Sequence, residues 1–351
     1  MTGVHPDIEA LIAAGKAAGS QPFEAMVPLE ARAAYAARRE ALQLPADEVS
    51  ERRDFAVPGP GSPIKLRLYR PRGIPAGVIL PCLVYMHGGG WIFGDLESHD
   101  GLCCRLANEA GCCVIAIDYR VAPEHPFPAA IEDCAAAYSA IAADAAALCI
   151  DPARIAVGGD SAGGNLAAVL SLMGRDGIVP PAVHQVLLYP VVDLDQDLND
   201  YGPNTAGMVI TGATMLYFRN HYTPRPGDRA DWRASPLKAS SLAGLPAAFV
   251  LICGHDPLAR EGRVYAERLA REGVRVTLLH LSDQTHGMIT MTKAVRAATD
   301  IQDFIAASLR DAFRIAAEES ANTVRSASGK RSADYREAEP GNTRPATNTI
   351  R

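Results

Sequence analysis

The chain has 351 residues, 48 % of them apolar and 21 % charged, with a formal net charge of −6. That composition supports a sizeable globular core, and the absence of any lysine or arginine block argues against a nucleic-acid partner. No stretch approaches the ~20 uninterrupted apolar residues of a membrane span. The start, MTGVHPDIEALIAAGK, lacks the basic-then-apolar order of a secretion signal, so a cytoplasmic protein without stable membrane insertion is expected.

Residues 1–45 read as helical. PDIEALIAAGKAA and PLEARAAYAARREAL are Ala-rich, carry apolar residues three and four apart, and each opens on a proline. RDFAVPGPGSPIKLRLYRP then holds two short extended runs broken by Pro/Gly turns. From residue 82 the rhythm changes. CLVYMHG, CCVIAIDYR, RIAVGGDS, VLLYPVV, AAFVLICGHD and VRVTLLHL are nearly continuous apolar runs, as strands of a parallel sheet covered on both faces are. Helical patterns separate them at 98–110, 127–147, 163–175 and 258–272, with a last one near 290–315. This alternation predicts right-handed βαβ units and an α/β fold with a doubly wound sheet. Residues 194–235 break the rhythm with Gly, Pro, Asn and aromatic side chains, and are expected as an insertion over the C-terminal strand ends. From about 318 the chain is polar and poor in aromatics, which predicts a disordered tail to 351.

Eight cysteines include the adjacent pairs Cys103/Cys104 and Cys112/Cys113, with no CxxC and no Cys/His spacing suited to zinc. They read as buried free thiols, and neither a metal nor a cofactor is expected.

Gly159-Asp160-Ser161-Ala162-Gly163 follows a strand run and opens a helical one. A nucleophile elbow requires this context, because only small neighbours fit so tight a turn. Ser161 then needs a base and an orienting carboxylate. His286 follows the last strand run and Asp256 closes the one before it, each in a late loop. Their rivals are His255, which adjoins Asp256; His280, inside a strand run and expected to pack in the core; and Asp283, too near His286 in sequence. His87-Gly88-Gly89-Gly90-Trp91 lets the backbone approach a substrate closely. The amides of Gly88, Gly89 and Ala162 are the expected oxyanion donors.

With these motifs the chain resembles the bacterial hormone-sensitive-lipase-like esterases, within the α/β-hydrolase superfamily, over about residues 5–315. Further matching segments are Gly94-Asp95, Tyr119 to Ala129 (YRVAPEHPFPA), Gly163-Gly164-Asn165, Tyr189-Pro190, Ser235-Pro236-Leu237, Asp256-Pro257-Leu258 and His286-Gly287. Asp160 before the serine marks the GDSAG branch. The resemblance implies an eight-stranded, mostly parallel sheet within a catalytic domain at 46–317. It also implies a helical cap built from residues 1–45 and 194–235. Ser161, Asp256 and His286 take the triad roles by motif, and small esters of short to medium acyl chains are the implied substrates, with no cofactor. A homodimer is among the assemblies the sequence allows.

The pattern departs in three places. Arg260-Glu261-Gly262 replaces an acidic pair before glycine, Met288 stands where phenylalanine usually follows His-Gly and is expected to shape the pocket wall, and the tail has no counterpart. His99 and Asp100 are expected to orient the glycine loop by hydrogen bonds. Two other functions share the scaffold. An amidase or deacetylase of the arylacetamide type would use the same triad on an amide. A non-catalytic receptor, like the plant gibberellin receptors, lacks the histidine that His286 supplies here.

Overall fold

In the computed structural model, residues 3–197, 201 and 208–334 are described, with side chains to residue 322. Two N-terminal helices, α1 (Pro6–Ala17) and α2 (Pro28–Leu42), precede strands β1 (Glu51–Val57) and β2 (Ile64–Arg70). The alternating part follows: β3 (Leu80–Met86), α3 (Asp100–Ala110), β4 (Cys113–Asp118), α4 (Ala129–Ala143), β5 (Ile150–Asp160), α5 (Ala162–Arg175) and β6 (His184–Leu188). After α6 (Gly212–Tyr222) come β7 (Ala247–His255), α7 (Ala259–Arg271), β8 (Val276–Thr285) and α8 (Ala297–Asp334). One eight-stranded sheet results, in the order β1-β2-β4-β3-β5-β6-β7-β8. Every pairing from β4 to β8 is parallel, and β1–β2 and β2–β4 are antiparallel. The expected α/β-hydrolase architecture is therefore present.

The period-2 alternation of strand side chains divides the interior into two cores. In β3, Cys82, Val84 and Met86 join the core built with α4, α5 and α7, while Leu83 and Tyr85 join the one built with α3 and α8. Helix α5 is buried on all sides from Ala162 to Leu172, which fixes the turn in front of it. The seven cysteines other than Cys149 are buried, and all eight are free thiols.

Two expectations change. β8 is an edge strand with one face largely open to solvent, so His280 is exposed, 3.1 Å from an Arg263 nitrogen, instead of in the core. The chain after 318 does not begin as a disordered tail. Helix α8 continues to Asp334, and an Arg314–Glu318 pair four residues apart, at 2.7 Å, bridges the expected boundary. No proline or glycine interrupts this segment before Gly329, which leaves the helix free to propagate. Residues 335–351 lie outside the described residues, as do 198–200 and 202–207 of the expected insertion.

Candidate active site

Ser161 stands between the end of β5 and the first turn of α5, with φ 56° and ψ −116°. A non-glycine residue at such φ costs about 1–3 kcal/mol and persists only where its surroundings fix it. Here the Ser161 N–H donates to the Leu188 carbonyl at 2.8 Å. The turn also demands glycine behind it, because a Cβ on Gly163 would lie 1.9 Å from the Met86 carbonyl oxygen. The α5 N-terminus then points at the serine and favours negative charge there.

His286 follows β8 directly, and its Nε2 lies 2.8 Å from Ser161 Oγ. Its Nδ1 lies 2.8 Å from Asp256 Oδ2, and the other Asp256 oxygen accepts the Leu258 N–H at 2.8 Å. All three side chains are buried, and the Tyr189 ring packs on the imidazole at 4.6 Å between centroids. Ser161, His286 and Asp256 thus form one continuous hydrogen-bonded chain. None of the rival side chains enters it: Asp283 Oδ1 accepts from Gln284 Nε2 at 3.4 Å, the His280 ring lies beside Arg263, and His255 Nε2 makes no hydrogen bond among the described residues.

The glycine loop after β3 corrects one expected donor. The Gly88 N–H donates to Asp160 Oδ1 at 2.9 Å and is not free for a ligand. Gly89 and Gly90 instead line the cavity that contains Ser161 and His286. Among the described residues, no protein acceptor takes either of their N–H groups. Gly90 must be glycine, since at φ +60° its Cβ would fall 2.3 Å from the Phe218 ring.

Asp160 is a functional neighbour that the motif alone presents only as a branch marker. Its Oδ1 also accepts the Tyr85 hydroxyl at 2.9 Å and lies 3.0 Å from His99 Nε2. Burial pushes this carboxyl up, but His99, Tyr85 and His87 together outweigh burial and hold it below its ordinary value. The expected loop-orienting part of His99 is thus played through Asp160. Asp100 turns elsewhere, to Arg52, Arg67 and the Tyr69 hydroxyl. The signal in the sequence is an acid immediately before the serine, with a Gly-rich loop and a histidine that both need an acceptor.

The cavity measures about 1170 Å³. Its walls come from α1, α2, α6 and the glycine loop, through Leu11, Phe23, Met26, Tyr35, Ile210 and Phe218. The stretch before α2 bonds to α6 directly, as Thr214 Oγ1 donates to Glu24 at 2.8 Å. Arg32 of α2 ties down the other side, donating to the carbonyls of Ile92 and Ala122 at 2.8 Å and to Glu124 at 2.9 Å. Met288, expected in the pocket wall, packs wholly inside the α3–α8 core, and Met291 lines the cavity instead. Glu261 is buried and accepts the Val192 N–H at 2.7 Å, so the helix after Asp256 holds the loop after β6. Asn165 Nδ2 donates to the carbonyls of Val191 and Ala234, both at 2.9 Å, which joins that loop to the Ser235-Pro236-Leu237 turn.

Known proteins carry the same framework. The alpha/beta hydrolase fold family model matches residues 83–290, from the strand before the glycine loop to just past His286. The carboxylic ester hydrolase LipN of Mycobacterium tuberculosis is 42 % identical over 247 residues, which are 68 % of this chain and 64 % of LipN. The ethyl acetate hydrolase of Pseudomonas putida is 36 % identical over 307 residues, 85 % of this chain and 95 % of that protein. An ester-hydrolase structure from the metagenome of Lake Arreo superposes with a TM-score of 0.84 at 39 % identity, covering 88 % of this chain and 99 % of that one. Sheet order, elbow and relatives agree: the chain belongs to the alpha/beta hydrolase fold family, among its esterases.

Proposed function

We propose that this protein is a serine carboxylesterase of the hormone-sensitive-lipase-like branch, working in the cytoplasm through Ser161, His286 and Asp256. The observation that carries the reading is the pair of 2.8 Å contacts linking Ser161 Oγ to His286 Nε2 and His286 Nδ1 to Asp256. His286 Nε2 takes the Ser161 proton as Oγ bonds to the ester carbonyl carbon. The carbonyl oxygen becomes an oxyanion, met by the Gly89, Gly90 and Ala162 amides, each worth about 3–4 kcal/mol in the transition state. Collapse breaks the bond to the alcohol oxygen, which leaves with the proton from His286. Water, deprotonated by His286, then attacks the acyl-serine, and the carboxylic acid departs as the proton returns to Oγ. Asp256 holds the imidazole tautomer and stabilises the imidazolium throughout.

Helices α1, α2 and α6 act as the cap in this reading, closing an apolar chamber over Ser161. No helix among the described residues is long and apolar enough to cross a membrane. Eight unpaired thiols suit a reducing compartment. The chamber favours short- to medium-chain acyl esters bound by apolar contact. The test is hydrolysis of 4-nitrophenyl esters from acetate to dodecanoate, with Ser161→Ala as control. Loss of turnover in a variant of unchanged circular dichroism is expected. Wild-type-like rates in that variant would refute the mechanism, and a maximum at dodecanoate would refute the chain-length reading.

A further inference from the structure

The chamber above Ser161 carries a charge that the reaction does not use. Arg38, on α2, lines the cavity with its side chain half-buried. Its Cζ stacks over the Phe23 ring at 4.6 Å from the centroid, and a long bond of 3.4 Å runs from Nη2 to the Gln21 carbonyl. A guanidinium has five N–H donors in a fixed fork, and no carboxylate among the described residues pairs with this one. Burial draws its pKa below the ordinary value, as expected for a cation withdrawn from water without an anion beside it.

Position makes this charge relevant to substrate. The Phe23 ring under Arg38 packs on Phe93 at 4.8 Å, and the Phe93 backbone lies against Gly89. Arg38 is therefore two ring contacts from the amides assigned to the oxyanion. Two more cations, Lys16 and Arg39, stand on the same cavity and are equally without an acidic partner among the described residues. The acids on the cavity are engaged elsewhere: Asp160 with Gly88 and Tyr85, and Asp95 with the Ser98 N–H at 2.7 Å. In a chain of net charge −6, this makes a local positive rim on an apolar chamber.

We propose that the enzyme selects esters carrying a carboxylate remote from the scissile bond, and that Arg38 is the residue that binds it. The proposal rests on the esterase reading above. The apolar part of such a substrate fills the chamber while its carboxylate meets the guanidinium fork, which matches a carboxylate bidentately. Arg38 acts on binding and specificity and takes no part in bond breaking.

The test compares two matched ester pairs on the purified full chain. 4-Nitrophenyl hydrogen suberate against 4-nitrophenyl octanoate puts the carboxylate on the acyl side. 6-Acetoxyhexanoate against hexyl acetate puts it on the alcohol side. In the wild type, kcat/KM for the anionic member of at least one pair is expected to exceed that of its neutral partner. In Arg38→Gln the anionic-to-neutral ratio is expected to fall about tenfold or more, mainly through KM. Arg38→Lys should recover part of the ratio, and added salt should lower it in the wild type. A folding defect lowers both members of a pair and cancels in the ratio. Ratios in both pairs that ignore the Arg38→Gln change overturn the proposal alone. Failure of the wild type to hydrolyse any of the four esters overturns it together with the esterase reading.

Discussion

Oδ1 of Asp160 accepts the backbone N–H of Gly88 at 2.9 Å, and so joins the turn that carries Ser161 to the loop that carries Gly89 and Gly90. The nucleophile and the two glycine-loop amides come from different strands, β5 and β3, and their relative position depends on this bond. By consuming the Gly88 amide, the carboxylate also decides which glycines remain available to a substrate.

Asp160→Ala removes an acceptor shared by Gly88, Tyr85 and His99, leaving buried donors without a partner. A loss of about 3 kcal/mol in stability is expected. A fall in kcat of tenfold or more should accompany it, because the loop loses its reference point. Asp160→Asn keeps an acceptor oxygen and should retain more of both. Denaturant titration and steady-state kinetics on the two variants decide the matter; equal, wild-type-like kcat in both would show that the bond does not position the loop.

Gly90→Ala places a methyl 2.3 Å from the Phe218 ring at a φ that alanine adopts only with strain. The ring, and α6 with it, must shift. A lower melting temperature and a kcat/KM reduced at least tenfold are expected. Gly227→Ala, where nothing lies within 4 Å, serves as the control that a Gly-to-Ala change by itself is tolerated. Indistinguishable kinetics of the two variants would contradict the close packing of α6 on the glycine loop.

Acid sensitivity should come from two buried histidines outside the catalytic chain. Burial, followed by the neighbouring His99, pulls the His87 pKa from 6.5 to about 4; burial, followed by Arg275, does the same to His184. Between these values the unfolded chain binds protons that the folded protein refuses, so stability falls as pH falls from about 6.5 to about 4 and is retained above 6.5. A tenfold difference in proton affinity between the two states corresponds to about 1.4 kcal/mol, which makes the loss per histidine on the order of 2–4 kcal/mol. Urea unfolding at a series of pH values measures it. His184→Gln should shallow the slope across this window, and an unchanged slope would remove His184 from the account.

Much of this protein can be read from residue order alone. The apolar runs mark the strands, because side chains covered on both faces leave no polar alternation, and the Gly-flanked Ser161 after one such run marks the elbow. Asp256 and His286 are legible as residues closing or following strand runs, since a parallel sheet gathers its strand ends at one edge. The oxyanion donors are legible only as a glycine run: which amide faces the cavity depends on Asp160 taking Gly88, a contact between β5 and β3 that spacing does not record. The same limit hides the edge position of β8, which brings His280 out of the core, and the turn of Met288 into it. It hides as well the stack of Phe93, Phe23 and Arg38 that brings an N-terminal helix to the chamber. Local pattern determined the elements and the chemical groups; long-range packing decided which of those groups meet, because neighbours across a sheet or under a cap are set by the fold and not by distance along the chain.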